Sequence, residues 1–140
     1  MYNEKKRILV DMSATIIHHG HVRLLKKASR YGKVIVALTR DIEVKKNKGY
    51  YPELNFKSRK EILSSIKYVD RVIPSNFLVN EKYLKKNKIN ILIHGTDSPH
   101  GIKNKNKLII LPRTKGISSS KIRKRVKNSL KQLKKFRRKR

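Results

Sequence analysis

Three histidines fall within four residues, His18-His19-Gly20-His21, between an apolar segment and one with helical spacing. That setting suits phosphoryl chemistry. The start of a helix offers unpaired N–H groups and a partial positive charge to a phosphate. Gly20 lets the backbone approach closely. His18 and His21, on either side of it, can donate hydrogen bonds to oxygens that gain charge in a transition state. A lone histidine at such a place could simply cap the helix, but three in four residues exceed what a cap needs. His18, His19 and His21 are too close together to converge easily on a metal, and Asp11 is the nearest acid. No metal site is expected; zinc is the weaker alternative.

A second cluster stands near the other end, Arg113-Thr114-Lys115-Gly116-Ile117-Ser118-Ser119-Ser120. A glycine turn followed by hydroxyls at a helix start is another phosphate cradle. Arg113 can make bidentate contacts to phosphate oxygens. Taken alone, the serines read as an ordinary N-cap. Taken with the histidines, two cradles could bracket one triphosphate. No GxxxxGK[ST] is present, no GxGxxG follows the first strand, and no nucleophile elbow supports Ser-His-Asp hydrolysis.

The elements that must position these groups follow from the apolar pattern. Ile8–Met12, Val34–Leu38, Val72–Pro74, Ile91–Ile93 and Leu108–Leu111 read as five short strands. Val22, Leu24, Leu25 and Ala28 give helical spacing after the first. Residues 40–56 read as a long polar loop. Ser58 and Glu61 form a capping box for a second helix, with Asn80 or Glu81 opening a third and Ser118 or Ser119 a last, basic one. Strands alternating with helices predict an α/β Rossmann-like sandwich with a five-stranded parallel sheet. The polar clusters fall at the carboxyl ends of its strands, where such sheets bind ligands. Phe77 is expected in the core, with a place at the border of the ligand site as the weaker alternative.

At 140 residues the chain has room for one core. The expected division is a domain over residues 1–125 and a basic helix or tail over 126–140. Cysteine is absent, no apolar run nears the ~18 residues of a membrane span, and Met1–Arg7 is charged rather than signal-like. A cytoplasmic protein is the expectation. The net charge is +29, from 38 Lys and Arg against nine acids, which attracts nucleotides, phosphorylated metabolites, nucleic acid and anionic lipid. Biased coding could account for part of it. Lys121–Arg140 holds 12 of these cations and no acid. Ile122, Val126, Leu130 and Leu133 share one face, and the first half of that stripe is expected to pack on the domain. The tail reads either as a solvated helix or as a weak contact for anionic membrane or nucleic acid.

The two motifs together, His18-x-Gly20-His21 and Arg113-Thr114-x-Gly116-Ile117-Ser118-Ser119-Ser120, resemble the cytidylyltransferases of the glycerol-3-phosphate and choline-phosphate type. The resemblance spans about residues 7–125. The first motif is shared with a wider HxGH nucleotidyltransferase superfamily, and the second is narrower. Arg59-Lys60 through Lys67-Tyr68-Val69-Asp70 resembles a further family segment. The resemblance implies transfer of CMP from CTP to a small phosphate- or phosphonate-bearing acceptor, glycerol-3-phosphate-like, with release of pyrophosphate.

In that reading His18, His21 and Lys48 are catalytic. Ser13, Gly20, Gly95, Asp97, Arg113, Thr114, Ile117, Ser118 and Ser119 bind the nucleotide. Asp41, Lys45, Lys46 and Arg59 serve the acceptor. Mg²⁺ accompanies the triphosphate, with Asp41 or Asp97 in reach, and the enzyme is a homodimer. Thr15 stands where the family has an aspartate, Thr96 where it has the first Asp of a Gly-Asp-Asp turn, and Lys67 where it has an arginine. Two rivals follow: an ATP-using adenylyltransferase of the same superfamily, and a non-catalytic nucleic-acid-binding protein on this fold.

Overall fold

Ile8, Leu9 and Val10 are consecutive and wholly buried, and a strand buried on both faces requires helices on both sides of its sheet. The computed structural model describes residues 5–95, 102–104 and 107–140. Its elements run β1 Arg7–Met12, α1 His19–Ala28, β2 Lys33–Thr39, α2 Asp41–Lys48, α3 Phe56–Ser64, β3 Arg71–Ser75, α4 Glu81–Lys86, β4 Ile91–His94, β5 Leu108–Ile110 and α5 Ser119–Arg138. The strands form one sheet in the order β3-β2-β1-β4-β5, parallel throughout. The expected Rossmann-like α/β sandwich with five parallel strands is the observed fold.

Side-chain alternation sorts the core into two layers. Ile8, Val10, Val34, Val36 and Ile93 meet Leu25 and Ala28 of α1 and Leu63 of α3. Leu9, Ile35, Ala37 and Leu92 meet Leu84 of α4 with Val79 and Ile89. β1 is central, with Ile8 opposite both Val34 of β2 and Ile91 of β4. The strand order reverses between β1 and β4. In open α/β sheets that crevice, beyond the strands' carboxyl ends, is where ligands bind.

Two local expectations are corrected. Residues 40–56 contain a helix, α2, with acids Asp41 and Glu43 in its first turn, lysines in its last, and Gly49 closing it at φ 85°. Only Val44 of α2 is buried, so no apolar period marks it. The helix over Ser58 and Glu61 begins earlier than their capping box implies: Asn55 is its N-cap, and its side chain accepts from the Ser58 N–H at 2.9 Å. At the carboxyl end, α5 runs unbroken through residues 125 and 126.

Candidate active site

His18 ends the β1–α1 connection in an extended conformation and caps α1. Its Nδ1 accepts from the Gly20 N–H at 3.1 Å. In return, Nδ1 of His21 accepts from the His18 N–H at 3.1 Å. This is a capping box built from imidazoles, and it fixes chemistry as well as structure. An Nδ1 that accepts a hydrogen bond carries no proton, so each neutral ring holds its proton on Nε2, where it can be donated. The two rings lie 4.0 Å apart between centroids.

Burial, then the nearby His18, Arg113 and Lys48, push His21 down to about 3. Burial, then His19, lowers His18 as well. Both are therefore neutral donors at neutral pH. The stability consequence has a definite sign. Between about pH 3 and pH 6.5 the unfolded chain binds a proton that folded His21 refuses, so stability rises with pH across that window. The contribution is full above the unfolded pKa and lost as pH falls through the window, by up to ~1.4 kcal/mol per pH unit. The thermal midpoint of the protein should fall on acidification more steeply than that of His21→Gln. Parallel curves for the two proteins would contradict this account of His21.

The second cradle faces the first. Gly116 adopts φ 84°, a left-handed turn open to glycine, and delivers Ser118 as the cap of α5. The Ser118 Oγ accepts from the Lys121 N–H at 3.1 Å, while the Ser119 hydroxyl donates to the Ile16 carbonyl at 3.1 Å. That last bond ties the second motif to the loop leading into the first. The motifs also touch over Gly20: a Cβ there would lie 2.8 Å from His18 Cε1 and 3.2 Å from Ile117 Cγ2. Arg113 packs in the same way on Gly95.

Between the cradles lies a cavity of about 500 Å³. Its lining includes Ser13, His18, Gly20, His21, Lys48, Gly95, Arg113, Thr114, Ile117, Ser118 and Ser119, so these expected residues converge. Lys48 ends α2 at the rim. Partial burial, Arg123 and Arg113 lower its pKa, a crowding that a bound polyanion would relieve. Asp97 lies outside the described residues.

The four residues expected at the acceptor do not line this cavity. Arg59 is wholly buried. Its guanidinium donates to the carbonyls of Ser13 at 2.6 Å, Thr39 at 2.9 Å and Leu54 at 3.0 Å, and pairs with Asp41 at 2.6 Å. The other Asp41 oxygen accepts from the Phe56 N–H, at 3.1 Å. Arg59 and Asp41 thus clamp the ends of β1 and β2 to α2 and α3 behind the cavity. Lys45 is exposed and donates to the Gly49 carbonyl at 3.0 Å, closing its own helix. Lys46 is exposed on the polar side of α2.

Known proteins resemble this chain in sequence and in fold. The model of the cytidylyltransferase-like family matches residues 13–125. The chain is 35% identical over 125 residues to a glycerol-3-phosphate cytidylyltransferase of Staphylococcus aureus, covering 84% of this chain and 92% of that protein. The chain belongs to the cytidylyltransferase-like family. It is therefore a nucleotidyltransferase. A shorter match, 42% over 72 residues, joins 51% of it to 49% of an FAD synthase of Pyrococcus horikoshii. In fold, it resembles a lipopolysaccharide core biosynthesis protein from Thermoplasma volcanium, with a TM-score of 0.67 and 23% identity over 79% of this chain and 98% of that one.

The structure adds residues that motif reading missed. Arg123 enters the cavity, hydrogen-bonds Thr15 Oγ1, pairs with Glu53 and lies over the Tyr50 ring at 4.3 Å. Thr15 is buried and anchors that arginine. The signal was available: Arg123 sits one turn after Ser119, on the same face of α5. His94 and Asp11 are the second addition. The Asp11 carboxylate accepts from His94 Nδ1 at 2.7 Å, and both line the cavity at the β1–β4 crevice. Their pairing across 83 residues leaves no trace in local spacing. Phe77 reaches the cavity, the weaker of the two places expected for it.

Proposed function

We propose that this family member transfers CMP from CTP to a small molecule bearing a phosphate or phosphonate, glycerol-3-phosphate-like, and releases pyrophosphate. The observation that carries the reading is the convergence of two phosphate cradles on one cavity, with neutral Nε2–H donors from His18 and His21 at its edge. The name of the staphylococcal relative supports both the nucleotide and the acceptor class.

The chemistry follows from those groups. An acceptor phosphate oxygen, already anionic, attacks the α-phosphorus of CTP in line. The bond from the α-phosphorus to the bridging oxygen of the β-phosphate breaks, and pyrophosphate leaves with its electrons. No base is needed, in keeping with two histidines held neutral. His18 and His21 donate to oxygens gaining charge, Arg113 and Lys48 neutralise the polyphosphate, and Ser118 and Ser119 hold its far end. Asp11, the one acid in the described lining, is engaged by His94. Mg²⁺ in this reading is carried in by the triphosphate, which supplies its ligands with water. A cytoplasmic homodimer completes the proposal.

The FAD synthase match favours a second reading, adenylyl transfer from ATP on the same cradles. Thermal melting with Mg²⁺ and each nucleotide separates the two. CTP at a hundred times its dissociation constant should stabilise the fold by ~2.7 kcal/mol, and ATP by far less. An equal or larger shift with ATP would overturn the cytidylyl reading.

A further inference from the structure

The transfer proposed above brings two anions into one cavity, and the cradles account for one of them. Arg113 lies against Gly95 at the end of β4, where a Cβ would stand 3.3 Å from Arg113 Cγ and 3.9 Å from Leu24 Cδ2. Lys48 ends α2, which follows β2. β2 and β4 flank β1 on opposite sides, and His18 and His21 stand at the start of the helix that follows β1. The histidines therefore lie between a β4 side that holds Arg113 and a β2 side that holds Lys48. After burial and His18, both cations lower the His21 pKa. Arg123 extends the β2 side. It lines the cavity, donates to Thr15 Oγ1, lies over the Tyr50 ring and pairs with Glu53. Tyr50 and Glu53 both belong to the segment joining α2 to α3. After burial, Arg123 is the largest influence lowering the Lys48 pKa, ahead of Arg113. Beyond Arg123 the helix is exposed. Val126, Leu130 and Leu133 are 51%, 55% and 41% exposed, so the expected packing of the apolar stripe stops at Ile122.

The pair with Glu53 shows what this guanidinium accepts. Its Nε donates to Glu53 Oε1 and its Nη2 to Glu53 Oε2, the second at 3.0 Å. Two parallel bonds of this kind suit a carboxylate or a phosphate. The bond to Arg123 holds the Glu53 carboxyl below the usual carboxylate range, so the group is an anion at neutral pH. The two partners of the arginine differ in depth. Thr15, its anchor, is buried, whereas the Glu53 side chain is 41% exposed. An ion pair so exposed contributes little, and a dianion in the cavity can replace it without disturbing the anchor. An ordinary surface pair has no reason to bring its arginine into a ligand cavity. We propose that Arg123 binds the phosphate or phosphonate of the acceptor, and that Glu53 is an internal carboxylate holding the place until the acceptor displaces it. The inference rests on the transfer reading above, and it narrows the acceptor class. A phosphate monoester or a phosphonate has three terminal oxygens. Two take the guanidinium fork, and the third is left to attack the α-phosphorus. A phosphodiester or a carboxylate has two, both engaged by the fork. The bonds made and broken are those of the transfer itself, with pyrophosphate leaving as the new P–O bond forms.

The test is a titration with methylphosphonate of full-length protein whose cradles are filled by Mg²⁺ and α,β-methylene-CTP, a nucleotide that cannot release pyrophosphate. The native protein should bind the phosphonate. Arg123→Gln should bind it about tenfold or more weakly. Glu53→Gln removes the internal anion from an exposed position, without touching the core, and should bind the phosphonate about two- to fivefold more tightly. Both variants should keep the native affinity for the nucleotide analogue. The proposal is overturned if native protein binds no phosphonate, or if Arg123→Gln binds it as native protein does. It is also overturned if Glu53→Gln binds no more tightly, which would make Glu53 a strut that positions Arg123. Equal weakening of phosphonate and nucleotide in Arg123→Gln would place the arginine in the nucleotide site instead. Failure of the cytidylyl reading looks different. Native protein then gives no response to the CTP analogue, and the same comparison of native and variant proteins without nucleotide still decides the role of Arg123.

Discussion

Replacing His18 or His21 by alanine lowers acceptor-dependent pyrophosphate release by ~10²-fold or more, the scale expected when a donor to a charged transition state is lost. The nucleotide's dissociation constant should change far less, because the bonds matter most where charge develops. His18 also caps α1, so alanine there costs about 1 kcal/mol of stability besides. His18→Asn separates the two roles. Asparagine is a good cap, so stability should return, while turnover stays low because its shorter amide does not reproduce the Nε2–H donor. Recovery of turnover in His18→Asn would mean that the histidine serves the helix and not the reaction.

The second large effect falls on stability. Arg59→Met should cost on the order of 3–5 kcal/mol, because it leaves the carbonyls of Ser13, Thr39 and Leu54 without their donor and Asp41 without its cation. For a domain of this size that lowers the melting midpoint by on the order of 10–20 °C. Arg59→Lys should recover little of it, since an ammonium cannot span partners arranged for a planar fork. An acceptor-binding Arg59 behaves in the opposite way. Its lysine variant would melt normally and show a raised KM for the acceptor alone.

That contrast marks where the sequence was legible. The strands of the sheet, α1 and the two cradles were readable because each is specified locally: by runs such as Val34–Leu38, by the spacing of Leu24, Leu25 and Ala28, and by glycine followed by a histidine or serines. The parallel sandwich then follows, and with it the meeting of both motifs at the carboxyl ends of the strands. α2 was not readable, since a helix with Val44 as its one buried residue has no apolar period to show. Arg59 stands near the start of a helix by its local sequence, but its burial depends on partners at positions 13, 39, 41 and 54, which only the folded chain brings together. The same holds for Asp11 with His94, and for Glu53 with Arg123. Ser58 could have capped a helix by type; Asn55, three residues earlier, does so, with the Asp41 carboxylate fixed beside it on the Phe56 N–H.

The account stands on one claim, that the two cradles hold a single CTP whose α-phosphorus is attacked by an acceptor phosphate. Pyrophosphate release measured with purified protein, Mg²⁺ and each nucleoside triphosphate, against a panel of phosphate- and phosphonate-bearing small molecules that includes glycerol-3-phosphate, tests it most directly. The account predicts release from CTP that requires an acceptor and yields a CDP-linked product. Release from CTP at the same rate without any acceptor, or acceptor-dependent release from ATP in preference to CTP, would contradict it.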